Sequence, residues 1–150
     1  MGVPLAIQFR LLLLACLAFP HIVSAGWIQR SGEPLGDTAY RKSDGQLISW
    51  LVFVANDRKL TETWHIPGES VNIDEIESVD INSPISAFVV FGGCKADDSG
   101  ICNVQMRYQV LAPDGSSYAQ TPTMEVWVNK PQPPNRSLQL SVDYLKIGSS

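Results

Sequence analysis

The chain has 150 residues, 11 Lys plus Arg against 15 Asp plus Glu, a formal charge of −4 and 45% hydrophobic residues. That length allows one domain of ordinary size. The acidic balance excludes the basic footprint by which proteins hold nucleic acid, and the cluster Asp74, Glu75, Glu77 and Asp80, broken by Ile76 and Val79, reads as a solvated edge.

Residues 1–25 have the parts of a secretory signal: one cation at Arg10, an apolar run from Leu11 to Phe19, and small residues ending Val23-Ser24-Ala25. Cleavage after Ala25 leaves residues 26–150 as a single domain, and loss of Arg10 takes the formal charge from −4 to −5. The apolar run is shorter than the roughly 20 residues that span a bilayer, and no later segment approaches that length, so no membrane span is expected in the mature form. Leu13-Leu14-Ala15-Cys16 loosely resembles a lipoprotein cleavage box, in which Leu14 is a poor fit. A secreted or periplasmic location puts Cys94 and Cys102 in an oxidising compartment, which favours a disulfide over a metal site or a nucleophile. Closing that loop stabilises by about 2.6 kcal/mol in the chain-entropy model.

In chain order, Gly26 to Gly45 is turn-rich and only Trp27-Ile28 suggests a short strand. Gln46 to Ala55 is the most apolar run outside the leader. Its two alternating sets, Leu47, Leu51, Phe53 and Ile48, Trp50, Val52, Val54, are both hydrophobic, as in a central strand covered on both faces. Asn56-Asp57-Arg58-Lys59 reads as a polar turn into a hairpin partner, Leu60 to His65, which Pro67-Gly68 ends. Val71 to Ile81 fits neither period and reads as a loop with short regular pieces.

Ile85 to Phe91 and Cys102 to Leu111 read as two arms of a hairpin closed by the cysteine pair. The second arm alternates Cys102, Val104, Met106, Tyr108 and Val110 with polar residues, so one face is core and the other is wet. In Ala112-Pro113-Asp114-Gly115-Ser116, Pro113 presets φ, Asp114 can bond its own backbone and Gly115 supplies a positive φ, which turns the chain back. Thr123 to Val128 follows as a strand with Met124, Val126 and Val128 on one face. Pro131 to Pro134 is a stiff linker, and Leu138 to Ile147 is a last amphipathic strand. With about six or seven short strands and no helix after the leader, the expected fold is all-β, an antiparallel β-sandwich with an immunoglobulin-like layer arrangement. The Cys-Trp-Cys spacing of antibody domains is absent.

The residues Phe91-Gly92-Gly93-Cys94, Asp98, Gly100 and Cys102, then Pro113-Asp114-Gly115-Ser116, Tyr118, Trp127 and Leu138-Gln139-Leu140 give the chain a resemblance to a group of small uncharacterised bacterial secreted proteins. The resemblance covers Ile85 to Ile147 and implies a periplasmic or extracellular β-rich domain, with no activity or site residue to carry over. Members of that group continue with an acidic-Pro-Gly-aromatic turn and two further strands, whereas this sequence ends at Gly148-Ser149-Ser150. A C-terminally truncated domain is therefore expected to expose an unpaired sheet edge, open to dimerisation or to strand donation by a partner protein.

Candidate chemistry is sparse. His65 is the one histidine outside the leader, and a small hydrolase using it with a Ser or Asp lacks any nucleophile-elbow or metal-helix motif. Asp97-Asp98-Ser99-Gly100 lacks the alternating ligands and terminal Glu of a calcium loop, so neither a metal nor another cofactor is expected. Trp127 lies out of phase with Met124, Val126 and Val128, which would place its indole opposite the core beside Glu125, as a contact for a partner protein or a sugar. The alternative is that Pro131 to Pro134 folds back over it. Trp64 carries a weaker version of the same case, and Trp50 reads as core. Asn135-Arg136-Ser137 is a glycosylation acceptor pattern. The functional expectation is a secreted, non-catalytic binding or interaction module. The alternatives are the His65 hydrolase and a carbohydrate-binding module centred on Trp127 and Glu125.

Overall fold

The structure is a computed structural model that describes residues 26–29, 31–66, 71–80, 82–134 and 137–148. Residues 1–25, where a leader is expected, the Pro67-Gly68 break and the Asn135-Arg136 part of the glycosylation pattern lie outside the described residues. In chain order the elements are β1 (Trp27–Ile28), β2 (Pro34–Leu35), β3 (Arg41–Asp44), β4 (Leu47–Val54), α1 (Asp57–Trp64), β5 (Ile85–Gly92), β6 (Ile101–Met106), β7 (Gln109–Leu111), β8 (Ser117–Gln120), β9 (Met124–Pro131), β10 (Gln139–Leu140) and β11 (Leu145–Ile147). The fold is all-β and sandwich-like, built from several antiparallel sheets.

The main sheet has five strands, with β5 between β4 and the β10–β11 edge, and β3 outside β4. As expected, β4 is central. Its pairs Trp50↔Val90 and Val52↔Phe88 point to one face, and Leu51↔Val89 and Phe53↔Ala87 point to the other. On the first face Val52, Val54, Phe88 and Val90 are buried together with Leu60 of α1, and Trp50, Trp64, Val71, Ile73 and Leu140 pack around them. On the second face the β6–β9 pair forms the facing layer through Trp127, and the β7–β8 hairpin is a separate two-stranded sheet whose β8 is exposed throughout. Phe91 meets Trp127 edge-on, with ring centroids 6.4 Å apart, and the buried Tyr108 donates its hydroxyl proton to the Ala87 carbonyl at 2.9 Å.

Three sequence expectations are corrected. Leu60 to His65 is not a hairpin strand: Asp57–Trp64 is a helix. Leu60 and Trp64 are four residues apart, a spacing that puts them on one side of a strand and equally on one side of a helix. The local chemistry decides, because Asn56 caps the helix by accepting from the Lys59 N–H at 2.9 Å and Asp57 adds a carboxylate in the first turn. Leu60 and Trp64 then face the core.

The second correction concerns the disulfide. Cys94 and Cys102 are bonded, with Cα atoms 6.3 Å apart, but they do not close a hairpin. β5 pairs with β4, β10 and β11, and β6 pairs with β9. The bond therefore staples the connection between two layers. Both cysteines are buried, and Gly93 makes the crossing possible: its φ is +68°, and a Cβ there would lie 1.9 Å from the Gln46 carbonyl oxygen.

Third, Leu138 to Ile147 is not one continuous strand. Leu140 pairs with Val90 and Leu145 with Ala87, so extra residues are looped out between them. Ser141 anchors the bulge: it is buried, its N–H donates to the Val89 carbonyl at 2.8 Å, and its hydroxyl accepts from the Val89 N–H at 3.1 Å. Val142, in the looped-out part, is 82% exposed. β3, which the turn-rich composition hid, pairs with β4 around the Gly45-Gln46 turn.

Candidate functional site

Trp127 is the first candidate to resolve. The β6–β9 register pairs Cys102 with Lys130, Val104 with Trp127 and Gln105 with Glu125. Each step between these pairs takes one more residue on β9 than on β6, so β9 is bulged on both sides of Trp127. The bulges reverse its phase. Trp127 shares the inner face with Val104, and Glu125 shares the opposite, solvent face with Gln105. The expectation of an outward indole next to Glu125 is corrected on this geometry. The ring is half-buried, packs on Phe91, donates from Nε1 to the Pro131 carbonyl at 3.0 Å, and carries the Lys130 ammonium 4.8 Å from its centroid. The start of the Pro131 to Pro134 segment thus supplies the indole's hydrogen bond.

Trp64 is half-buried at the end of α1, packed against the core. His65 is the exposed C-cap residue of that helix, and among the described residues no serine or carboxylate is hydrogen-bonded to its ring. At the Asp97 to Gly100 tip, the Asp97 carboxylate accepts from the Ser99 and Ile101 N–H groups at 2.9 and 3.0 Å. These bonds explain the acid as a turn residue. The disulfide-bonded Cys94 and Cys102 are structural in position.

The edges of the main sheet are blunted. Along β3, Thr38 accepts from the Arg41 N–H at 3.0 Å and donates its own N–H to the Arg41 carbonyl at 2.8 Å. Asp37 accepts from the Ser43 hydroxyl at 2.8 Å, and Ser43, first through that hydroxyl and then through its backbone N–H, holds the Asp37 carboxyl below the usual carboxylate range. The opposite edge carries the Ser141 bulge and Lys146. Both devices oppose strand addition. In the facing layer, β6 and β9 pair with each other alone among the described residues.

What remains is a groove that sequence reasoning missed. It lies along β4, between the end of its pairing with β3 at Trp50 and its bridge to Glu75 at Val54, with Trp50 in its lining and a volume of about 630 Å³. Its floor is Phe53 and Ile85, and one wall is Tyr40, whose ring meets Phe53 edge-on at 6.1 Å and 90°. The other wall is the segment from Glu75 to Val79. That segment is fastened to β4 by the Val54↔Glu75 bridge and by the Ile76 N–H donating to the Phe53 carbonyl at 2.9 Å. Tyr40 and Val79 are 55% and 46% exposed, so the apolar lining is open to water. The signal available in sequence was slight: Phe53 belonged to a set read as covered, and Tyr40 sat in a stretch read as turns.

Fold and site together define an antiparallel, disulfide-stapled, sandwich-like domain with an open aromatic groove on its main sheet. No helix among the described residues is long and apolar enough to cross a membrane. No protein-family model, curated protein or solved structure matches the chain.

Proposed function

We propose that the protein is a secreted or periplasmic, non-catalytic binding module whose ligand seats in the groove between Tyr40, Phe53 and the 75–79 segment. The observation that carries this reading is the groove itself: an apolar, aromatic-floored concavity left open beside β4, between β3 and the 75–79 segment. Concave sites of a few hundred Å³, mostly apolar with a few polar groups, are where ligands bind. Export is supported by the signal-like first 25 residues, by the Cys94–Cys102 bond and by the resemblance to bacterial secreted proteins. The analogy to immunoglobulin-type domains is one of layers and adds a fold-level argument alone.

The test is site-specific photo-crosslinking in the full-length protein expressed with its leader. A photoreactive residue at Val79 should trap a discrete partner, and one at Tyr118, which is 80% exposed on β8, should not. The same adducts from both positions, or none from Val79, would overturn the assignment of the groove.

A further inference from the structure

The chemistry of the groove rim narrows the class of ligand. Resting on the binding role above, we propose that the groove receives a segment of a partner protein in which an apolar side chain is flanked by Lys or Arg. The apolar side chain lies against Phe53 and Tyr40, and the cation meets Glu75 and Glu77.

Charge selects the cation. Asp74, next to the rim, is already paired with Lys59, whereas Glu75 and Glu77 are exposed and form no ion pair among the described residues. Among the described residues Arg41 is the one cation in the lining, against the two carboxylates Glu75 and Glu77, so the rim carries a net negative formal charge. The exposed Tyr40 ring reinforces this preference, because aromatic faces attract ammonium and guanidinium groups. An acidic or polyanionic ligand is disfavoured on the same grounds.

Shape selects a peptide. A small ligand gains affinity by losing about 70 to 90% of its surface to an enclosing pocket, and a groove whose walls are themselves about half exposed at Tyr40 and Val79 does not enclose. A chain segment needs no enclosure, since it anchors one or two side chains and continues past the site. The segment does not join the sheet as an added strand, because Thr38 and Asp37 already occupy the β3 edge. Recognition therefore runs through side chains.

The experiment is an NMR titration of the ¹⁵N-labelled full chain, produced through an export pathway with the Cys94–Cys102 bond intact. The probes are capped pentapeptides Lys-Leu-Lys-Leu-Lys, Gln-Leu-Gln-Leu-Gln and Glu-Leu-Glu-Leu-Glu. The basic peptide should shift amides of residues 38–41, 53 and 75–79 and bind about tenfold more tightly than the neutral one, the effect of two partly exposed charge contacts. The double variant Glu75→Lys, Glu77→Lys should abolish that preference and favour the acidic peptide. Both sites are exposed, and an unchanged melting temperature confirms that the variant folds. Equal binding of basic and neutral peptides, shifts mapped elsewhere, or no binding of any peptide would each overturn the peptide class. If Val79 still traps a partner in the crosslinking experiment, the binding role survives that failure; if it traps none, both fall.

Discussion

The hydroxyl of Tyr144 donates to Asp57 Oδ2 at 2.7 Å across a sequence separation of 87, tying the start of α1 to the edge of the main sheet. Lys146 pairs with the same oxygen at 2.7 Å, and the Tyr144 ring stacks on Phe88, with centroids 4.4 Å apart. The Lys146 hydrogen bond first, and the Tyr144 hydroxyl second, draw the Asp57 carboxyl down to about 2. The unfolded value is about 3.9. A depressed folded value contributes stability that is fully present above about pH 4 and is lost as pH falls through about 2. Solvent screens the pair, since Lys146 is half exposed, so Asp57→Asn should lower stability by about 1 kcal/mol at pH 7. It should also flatten the acid limb of urea-midpoint against pH between about pH 4 and 2. An unchanged limb would show that the pair is not formed in solution.

The helix held by that contact rests on its cap. Asn56→Ala removes the acceptor for the Lys59 N–H and should cost about 1 kcal/mol, with Asn56→Asp close to neutral. Urea denaturation of the two variants checks this, and equal losses would argue against capping.

How far the sequence reveals the structure depends on what each signal encodes. The period-2 run at Ile48, Trp50, Val52 and Val54 marks a strand unambiguously, because every position samples one face. Leu60 and Trp64 do not, since a spacing of four satisfies both periods, and only the Asn56 cap separates them. The turn at Pro113 to Ser116 is local chemistry and forms as expected, with Gly115 at φ +84° and the Ser116 N–H donating to the Asp114 carboxylate at 2.9 Å. Pairing is not local: nothing in Ile85 to Phe91 says whether it meets β6 or β4. Bulges erase phase altogether, which is why Trp127 fell on the wrong face. The groove was the least legible feature, being built from Tyr40, Phe53 and Val79 on three separate segments.

The disulfide should act as a layer staple. Replacing both Cys94 and Cys102 with Ala should lower stability by about 2 to 3 kcal/mol through a less constrained unfolded chain, read as a shift of the denaturant midpoint. Reductant should lower the wild-type midpoint and leave the double variant unmoved. A midpoint insensitive to both would mean the staple contributes nothing.

Gly93 and Gly100 separate two reasons for glycine. Both have positive φ, +68° and +77°, but a Cβ at Gly93 would meet the Gln46 carbonyl oxygen at 1.9 Å, whereas nothing lies within 4 Å at Gly100. Gly100→Ala should therefore cost about 1 kcal/mol of backbone strain. Gly93→Ala must also displace the β3–β4 turn and should cost about 3 kcal/mol or more. Thermal melts of the pair decide it; equal losses would place the Gly93 crossing elsewhere.

Trp127 offers the sharpest contrast between packing and contact. If the indole served a ligand, Trp127→Ala would weaken binding and leave the fold intact. Its contacts argue the reverse: Phe91, with centroids 6.4 Å away, is among the largest fully buried side chains, and the ring shares the inner face with Val104. Truncation opens a void between the two layers and removes the indole's bond to the exposed Pro131 carbonyl, which water can replace. Because the ring is only half-buried, the loss should be about 2 to 3 kcal/mol, below the about 3 to 5 of a fully buried aromatic. Trp127→Phe should recover about half by restoring the contact with Phe91. Glu125→Ala, on the solvent face, should leave stability within about 0.5 kcal/mol. Denaturation of the three variants tests the assignment, and a Trp127→Ala protein as stable as wild type would return the indole to the list of contact residues.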